Sequence, residues 1–208
     1  MEIGGVSAPD RVDGRTARAI RTQRAIVDAL LALHDDGDLR PTGERIAERA
    51  GVSLRALWTN FKDLETLYAA AGDRLIELQR AEHRPIPSDL PLPRRIEVFC
   101  RQRARMLEIL APAARAAQLR EPFSAQLQRN RAKQYGRGLK EIDLLFGAEL
   151  DATGAARDQH RYALLAATTW PTWSVLRDQL ELDTDAACQV MKRTVTALLA
   201  AALAATAP

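Results

Sequence analysis

From Thr16 onward, apolar positions recur at helical rather than strand spacing. Ile20, Val27, Leu30 and Leu31 share one face of a helix predicted over Thr16–Leu33, with the arginines of that stretch elsewhere. His34-Asp35-Asp36-Gly37-Asp38 ends it, and Gly37 is placed for a left-handed cap. Thr42 is an N-cap for a short helix to Ala50, and Gly51 makes the turn. Ser53 caps a second short helix ending near Phe61, and Asp63 caps a longer one to about His83. Pro85, Pro87, Pro91 and Pro93 then interrupt the pattern, because proline lacks an amide donor and restricts its predecessor. Further helices are predicted over Arg94–Leu110, with Pro112 interrupting, and over Ala113–Leu119. A long one opens at Glu121-Pro122 and runs to about Phe146, and the last two cover Ala155–Leu180 and Asp183–Ala205. Pro171 should kink the first of that last pair.

Composition agrees with an all-α reading. Of 208 residues, 47% are hydrophobic but only 5% aromatic, and the apolar content is mostly the strong helix formers Ala and Leu. The division that follows is an N-terminal arm over 1–15, a helix-turn-helix domain over 16–62, a connecting helix over 63–84 and a helical domain over 85–208. The arm, with Gly4, Gly5, Ser7 and Pro9, is expected to be flexible.

The net charge of +3 is too small to identify a partner, but its distribution is informative. Arg11, Arg15, Arg18, Arg21 and Arg24 precede the segment Thr42–Phe61, and Arg40, Arg45, Arg49, Arg55 and Lys62 lie in and around it. That segment reads TGERIAERAGVSLRALWTNF. Two helices that cross closely need a small residue at the crossing, supplied by Ala47. The turn needs a positive φ, supplied by Gly51. Ile46, Val52, Leu57 and Phe61 are phased to pin the second helix inward, which leaves its other face for a DNA major groove.

With Thr42, Ile46, Ala47, Ala50, Gly51, Val52, Ser53, Leu57 and Phe61 in place, followed by Lys62-Asp63-Leu64-Glu65-Thr66-Leu67, residues 16–70 resemble the TetR (tetracycline-repressor) family of transcription regulators. Beyond them the likeness extends only to length and helical character. The family's tyrosine and histidine positions, which commonly contact phosphate, are Trp58 and Asn60 here. Each can still donate a hydrogen bond to the backbone, and Trp58 can equally serve packing alone. The expected fold is therefore all-α: a three-helix helix-turn-helix DNA-binding domain joined to a helical ligand-binding and dimerisation domain.

Expected base readers are Ser53, Leu54, Arg55 and Thr59. Arg55 suits guanine O6 and N7 or a phosphate, and Leu54 suits a thymine methyl or packing on its own helix. Thr42 and Lys62 are expected at phosphates, with Arg11, Arg15, Arg18 and Arg40 along the backbone.

The resemblance implies a homodimer on a pseudo-palindromic operator, formed by the last two helices through Tyr162, Leu165, Thr169, Trp173, Leu176 and Leu180 and through Val190, Val195, Leu198, Leu199 and Leu203. It also implies a small-molecule effector. The expected pocket residues are Phe99, Arg103, Met106 and Leu110, with Tyr135, Leu139 and Trp170. Arg103 suits an anionic ligand or a structural ion pair. The alternative is a DNA-binding dimer, or an activator, with no small ligand.

No enzyme is expected, since His34, His83 and His160 are isolated and no metal, nucleophile-elbow or phosphate-loop pattern frames them. No cofactor is expected. Cys100 and Cys188 sit in apolar helical patterns and read as buried thiols in a cytoplasmic protein. No apolar run reaches the roughly 18 residues of a membrane span.

Overall fold

The computed structural model describes residues 14–204, and no strand occurs among them. Helix α1 spans Gly14–Asp35, α2 Gly43–Arg49, α3 Leu54–Asn60, α4 Leu64–Glu82, α5 Leu92–Gln118, α6 Ala125–Asp151, α7 Arg157–Ala167, α8 Trp170–Ser174 and α9 Thr184–Ala204. The expected arm, including Arg11, and the side chain of Arg15 lie outside the described residues.

The polar punctuation does what its chemistry predicts. Gly37 (φ +86°) and Gly51 (φ +67°) adopt the left-handed conformation. After α2, the Val52 N–H reaches Ala47 O at 2.9 Å and the Gly51 N–H reaches Glu48 O at 3.0 Å. That double closure satisfies carbonyls a helix end would otherwise leave open. Ser53 Oγ accepts from the Ala56 N–H at 3.1 Å, and Asp63 Oδ1 from the Thr66 N–H at 2.8 Å.

Two buried clusters result. The head buries Ile26, Leu30, Ile46, Leu57, Phe61 and Leu67 between α1, α2, α3 and α4. The body buries Phe99, Phe146, Trp173, Met191, Val195 and Leu199 between α5 and α9. Phe99 and Phe146 meet edge to face at 5.4 Å between centroids, an arrangement worth about 0.5–1.5 kcal/mol beyond the area it hides. Leu110 of α5 packs against both clusters and so ties head to body. Helix α4, read from sequence as a connector, contributes Leu67, Ala71 and Leu75 to the head core.

The structure corrects several boundaries. Helix α5 runs through Pro112 without stopping. A proline removes one amide donor, and Ala111 and Ala114 beside it are buried in the body core, which holds the flanking turns in place. Pro93 lies within the first turn of α5, where a missing N–H costs nothing. Helix α6 bends at Phe146 (φ −125°, ψ 16°) and continues to Asp151. Arg95 supports the bend by donating to Leu145 O while its guanidinium lies 5.9 Å from the Phe146 ring centre. The predicted helix Ala155–Leu180 is broken at Thr168 and Thr169. Pro171 then sits in the first turn of α8, which passes into a π turn over Val175–Gln179.

Cys100 and Cys188 are buried free thiols, and burial pushes the Cys100 thiol up to about 12. Cys100 should therefore stay silent toward a disulfide reagent at pH 8 in the folded chain and react at once in denaturant. Rapid native labelling at Cys100 would contradict this packing.

Helix α9 is long and apolar enough to cross a membrane, with a mean hydropathy of 1.2. Its apolarity has a local use instead, since Ala187, Cys188, Met191, Val195, Leu199 and Ala202 face the body core.

Candidate nucleic-acid interface and adjoining cleft

On α3, the spacing of Leu57 and its cap Phe61 turns both inward, where both are buried. Leu54, Arg55, Trp58 and Thr59, on the opposite face, are exposed, as is the cap residue Ser53. Leu54 and Trp58 also line the contact with α2: a Cβ on Gly43 would come within 2.8 Å of Trp58 Cζ2 and 3.2 Å of Leu54 Cδ1. Trp58 is thus partly a packing residue, yet 39% exposed. Leu54 lies against α2 as well as on the exposed face.

Asn60 is half-buried and donates its Nδ2–H to Ala56 O at 2.8 Å, so one of its two amide hydrogens is held by its own helix. Thr59 likewise donates its hydroxyl to Arg55 O at 2.8 Å, leaving its oxygen as an acceptor. Thr42 is exposed, and its Oγ1 accepts from the Arg45 N–H at 3.4 Å.

The ion pairs sort the basic residues. Arg45 reaches Asp38 at 3.0 Å, Arg49 reaches Asp36 at 2.8 Å and Arg24 reaches Glu77 at 3.5 Å. These cations are neutralised within the head. Arg18, Arg40, Arg55 and Lys62 are exposed and belong to no ion pair among the described residues. The cations that remain for a partner therefore lie on α3, immediately after it, in the connection before α2 and in the N-terminal part of α1. At the foot of α4, Thr66 donates both its N–H and its hydroxyl to Asp63, which holds that carboxyl below its usual range.

A cleft of about 150 Å³ opens between head and body. Arg103, Met106 and Leu110 of α5, Tyr135 of α6 and Trp170 of α8 line it, so five of the seven expected pocket residues come together. Phe99 does not reach it and is buried against Phe146. Leu139, half-buried on α6, is also absent from the lining. The ion pair of Arg103 is present too, with Nη2 at 2.5 Å from Glu141.

Sequence reasoning missed the head's share of the cleft. Leu30, Leu31 and His34 of α1 and Tyr68 and Gln79 of α4 all line it. The available signal was Gln79, an amide one turn beyond the apolar stripe of α4, which is buried and donates to Met106 O at 3.2 Å. His34 was read only as the end of α1. Burial holds its imidazole below the usual value, with Asp38 opposing that shift and Arg120 adding to it.

The residues expected at a dimer interface divide. Trp173, Leu176, Val195 and Leu199 are buried within the chain's own core. Leu165 lines the cleft and packs against that core. Tyr162 and Leu180 are exposed at 53% and 59%, and Val190 at 39%. The outward faces of α7 and α9 are formed instead by positions such as Tyr162 and Ala166, and Val190, Thr194, Ala197 and Ala201.

These features define an all-α protein with a helix-turn-helix head on a helical body. Among solved structures, the fold is similar to that of a transcriptional regulator from Rhodococcus sp. Rha1. The TM-score is 0.66 over 88% of this chain and 96% of that one, at 17% identity. At such identity the likeness is one of fold. No family model and no curated protein matches the chain.

Proposed function

We propose that this chain is a transcription regulator of the TetR kind: a ligand-responsive repressor that binds a pseudo-palindromic operator as a homodimer and leaves it when a small molecule enters the cleft. The observation that carries this reading is the outward face of α3. It combines an unpaired Arg55, the polar Ser53 and Thr59 and the apolar Leu54 on a helix whose inner face is fixed by Leu57 and Phe61. A helix so anchored can enter a major groove and present its N-terminal residues to base edges. Lys62 and Thr42 flank it as phosphate contacts, with Arg18 reaching the backbone from α1.

Dimerisation is assigned to the outward stripes of α7 and α9, with Tyr162 as its aromatic anchor. Pairing two such helix pairs gives a four-helix interface. Two-fold symmetry then presents two reading helices to two half-sites.

Control follows from where the cleft lies. Its walls come from α1 and α4 of the head and from α5 to α8 of the body. A ligand that fits one head–body arrangement better than the other shifts the balance between them, and can do so only by its difference in affinity. A tenfold change in operator affinity needs about 1.4 kcal/mol of such difference. The fold similarity to a transcriptional regulator supports this reading.

Gel shifts across a salt series test the residue roles. Arg55→Ala should lower discrimination between operator and altered sites by about 1–3 kcal/mol. Lys62→Ala should weaken all sequences alike and flatten the salt slope by about one. If both variants bind every duplex as the parent does, α3 does not read DNA.

A further inference from the structure

Three polar atoms of residues in the cleft wall lack partners that burial should make obligatory: His34 Nδ1, Arg103 Nε and the Trp170 indole nitrogen. Trp170 is 7% exposed, and its indole N–H meets no acceptor. The Nε–H of Arg103 is also buried without one, although its Nη2 holds Glu141. A buried donor left without an acceptor loses its hydration uncompensated, so such groups usually belong to a site that something else completes. The Trp170 and Arg103 groups are donors and cannot accept, whereas His34 Nδ1 takes either role according to its tautomer. The partner the two donors lack is therefore an acceptor.

The surrounding charge has a sign. Arg137 gives its Nη1 to the amide oxygens of two residues that line the cleft, Gln79 at 3.0 Å and Gln134 at 3.5 Å. Burial holds its guanidinium below the usual range, and the nearby charges of Arg80 and Arg103 add to this, with Glu141 opposing. Arg137 thus has two further cations and one carboxylate in its surroundings. One stretch of the wall is apolar, with Leu30, Leu31, Leu107 and Leu110, while Arg120, Glu121, Arg131 and Lys133 line another part.

We infer that the cleft takes a small organic carboxylate, an anion on an apolar body, whose carboxylate receives the Trp170 and Arg103 N–H groups and whose body lies against the leucines. As effector of the proposed regulator this anion depends on the reading above. Its binding to the cleft does not, and is measured without DNA.

Calorimetry on the full chain compares benzoate, phenylacetate and octanoate with the alcohols of the same carbon skeletons. At least one acid should bind saturably, one per chain, and about tenfold more tightly than its alcohol. Trp170→Phe keeps an aromatic ring but removes the donor with the five-membered part of the indole, and it should weaken that acid at least fivefold while leaving the alcohol within twofold. Arg103→Gln should do the same, with circular dichroism melting confirming that each variant is folded. Equal affinity for acids and alcohols, no binding by any acid, or folded variants that bind the acid unchanged would each overturn the assignment. An acid that binds as expected but leaves operator affinity unaltered would keep the site and remove the effector role.

Discussion

Replacing Leu57 by alanine is expected to destabilise the head by about 2–5 kcal/mol and to abolish operator binding near physiological temperature. Leu57 is fully buried, and with Phe61 it holds α3 in the head core. The head core is small, so little else compensates for the cavity. The cost has two parts, the lost transfer of the three heavy atoms beyond Cβ and the void left where neighbours cannot collapse. Leu57→Met keeps most of the volume and should cost less than about 1.5 kcal/mol. Denaturant unfolding of the two variants, alongside a gel shift, checks both halves of this expectation. Full operator affinity in a folded Leu57→Ala variant would mean that α3 is not positioned by this core.

The second large effect lies in the body. Arg95 and Glu149 are each only 11% exposed and form an ion pair across α5 and α6. Arg95 also donates Nε–H to Leu90 O at 3.0 Å and holds Leu145 O at the bend of α6. Removing Glu149 alone, as Glu149→Leu, leaves a buried guanidinium without its counter-charge and should cost about 3–5 kcal/mol. The double variant Arg95→Met with Glu149→Leu removes that uncompensated charge. It should therefore be more stable than the two single losses would sum to, by at least about 1 kcal/mol. Simple additivity in chemical denaturation would show that the pair is not coupled. Because the pair holds the loop before α5 and the bend of α6, its loss is expected to reach the cleft wall as well.

The difference between these two regions explains how far the sequence could be read. In the head, each boundary is set by a residue acting on its own neighbours: Gly37 and Gly51 by conformational freedom, and Thr42, Ser53 and Asp63 by capping oxygens. Such signals are local, so the short helices and the outward face of α3 were legible before any tertiary contact was known. In the body the deciding contacts are long-range. Pro112 reads as a helix breaker, yet the turns around it are held by packing that a linear pattern does not contain. The reverse holds at Thr168 and Thr169, where a periodic pattern looked continuous but the chain breaks. There Thr168 returns its hydroxyl to Leu164 O at 2.7 Å, and Pro171 suits a new first turn.

The cleft shows the same division. Arg103, Met106 and Leu110 could be grouped because they share a face of one helix, and the structure keeps them together. Phe99 lies on that face too, but the bend of α6 brings Phe146 against it and takes it into the core. The contribution of α1 could not be seen, because it depends on how head and body meet. The dimer residues drawn from α8 and α9 suffered from the strength of their own pattern. The most apolar positions, Trp173, Val195 and Leu199, are claimed by the chain's own core, and the outward stripes that remain are rich in alanine and threonine.

The central claim, that α3 reads a two-fold DNA site, is tested most directly by selection from a random pool of double-stranded DNA. The full chain, held near physiological salt, is taken through repeated rounds of capture and sequencing. The expected result is enrichment of an inverted repeat whose half-sites are related by the two-fold axis of a dimer, lost when Arg55 is replaced by alanine. Recovery of sequences no different from the starting pool, with weak binding that vanishes as salt rises, would contradict it.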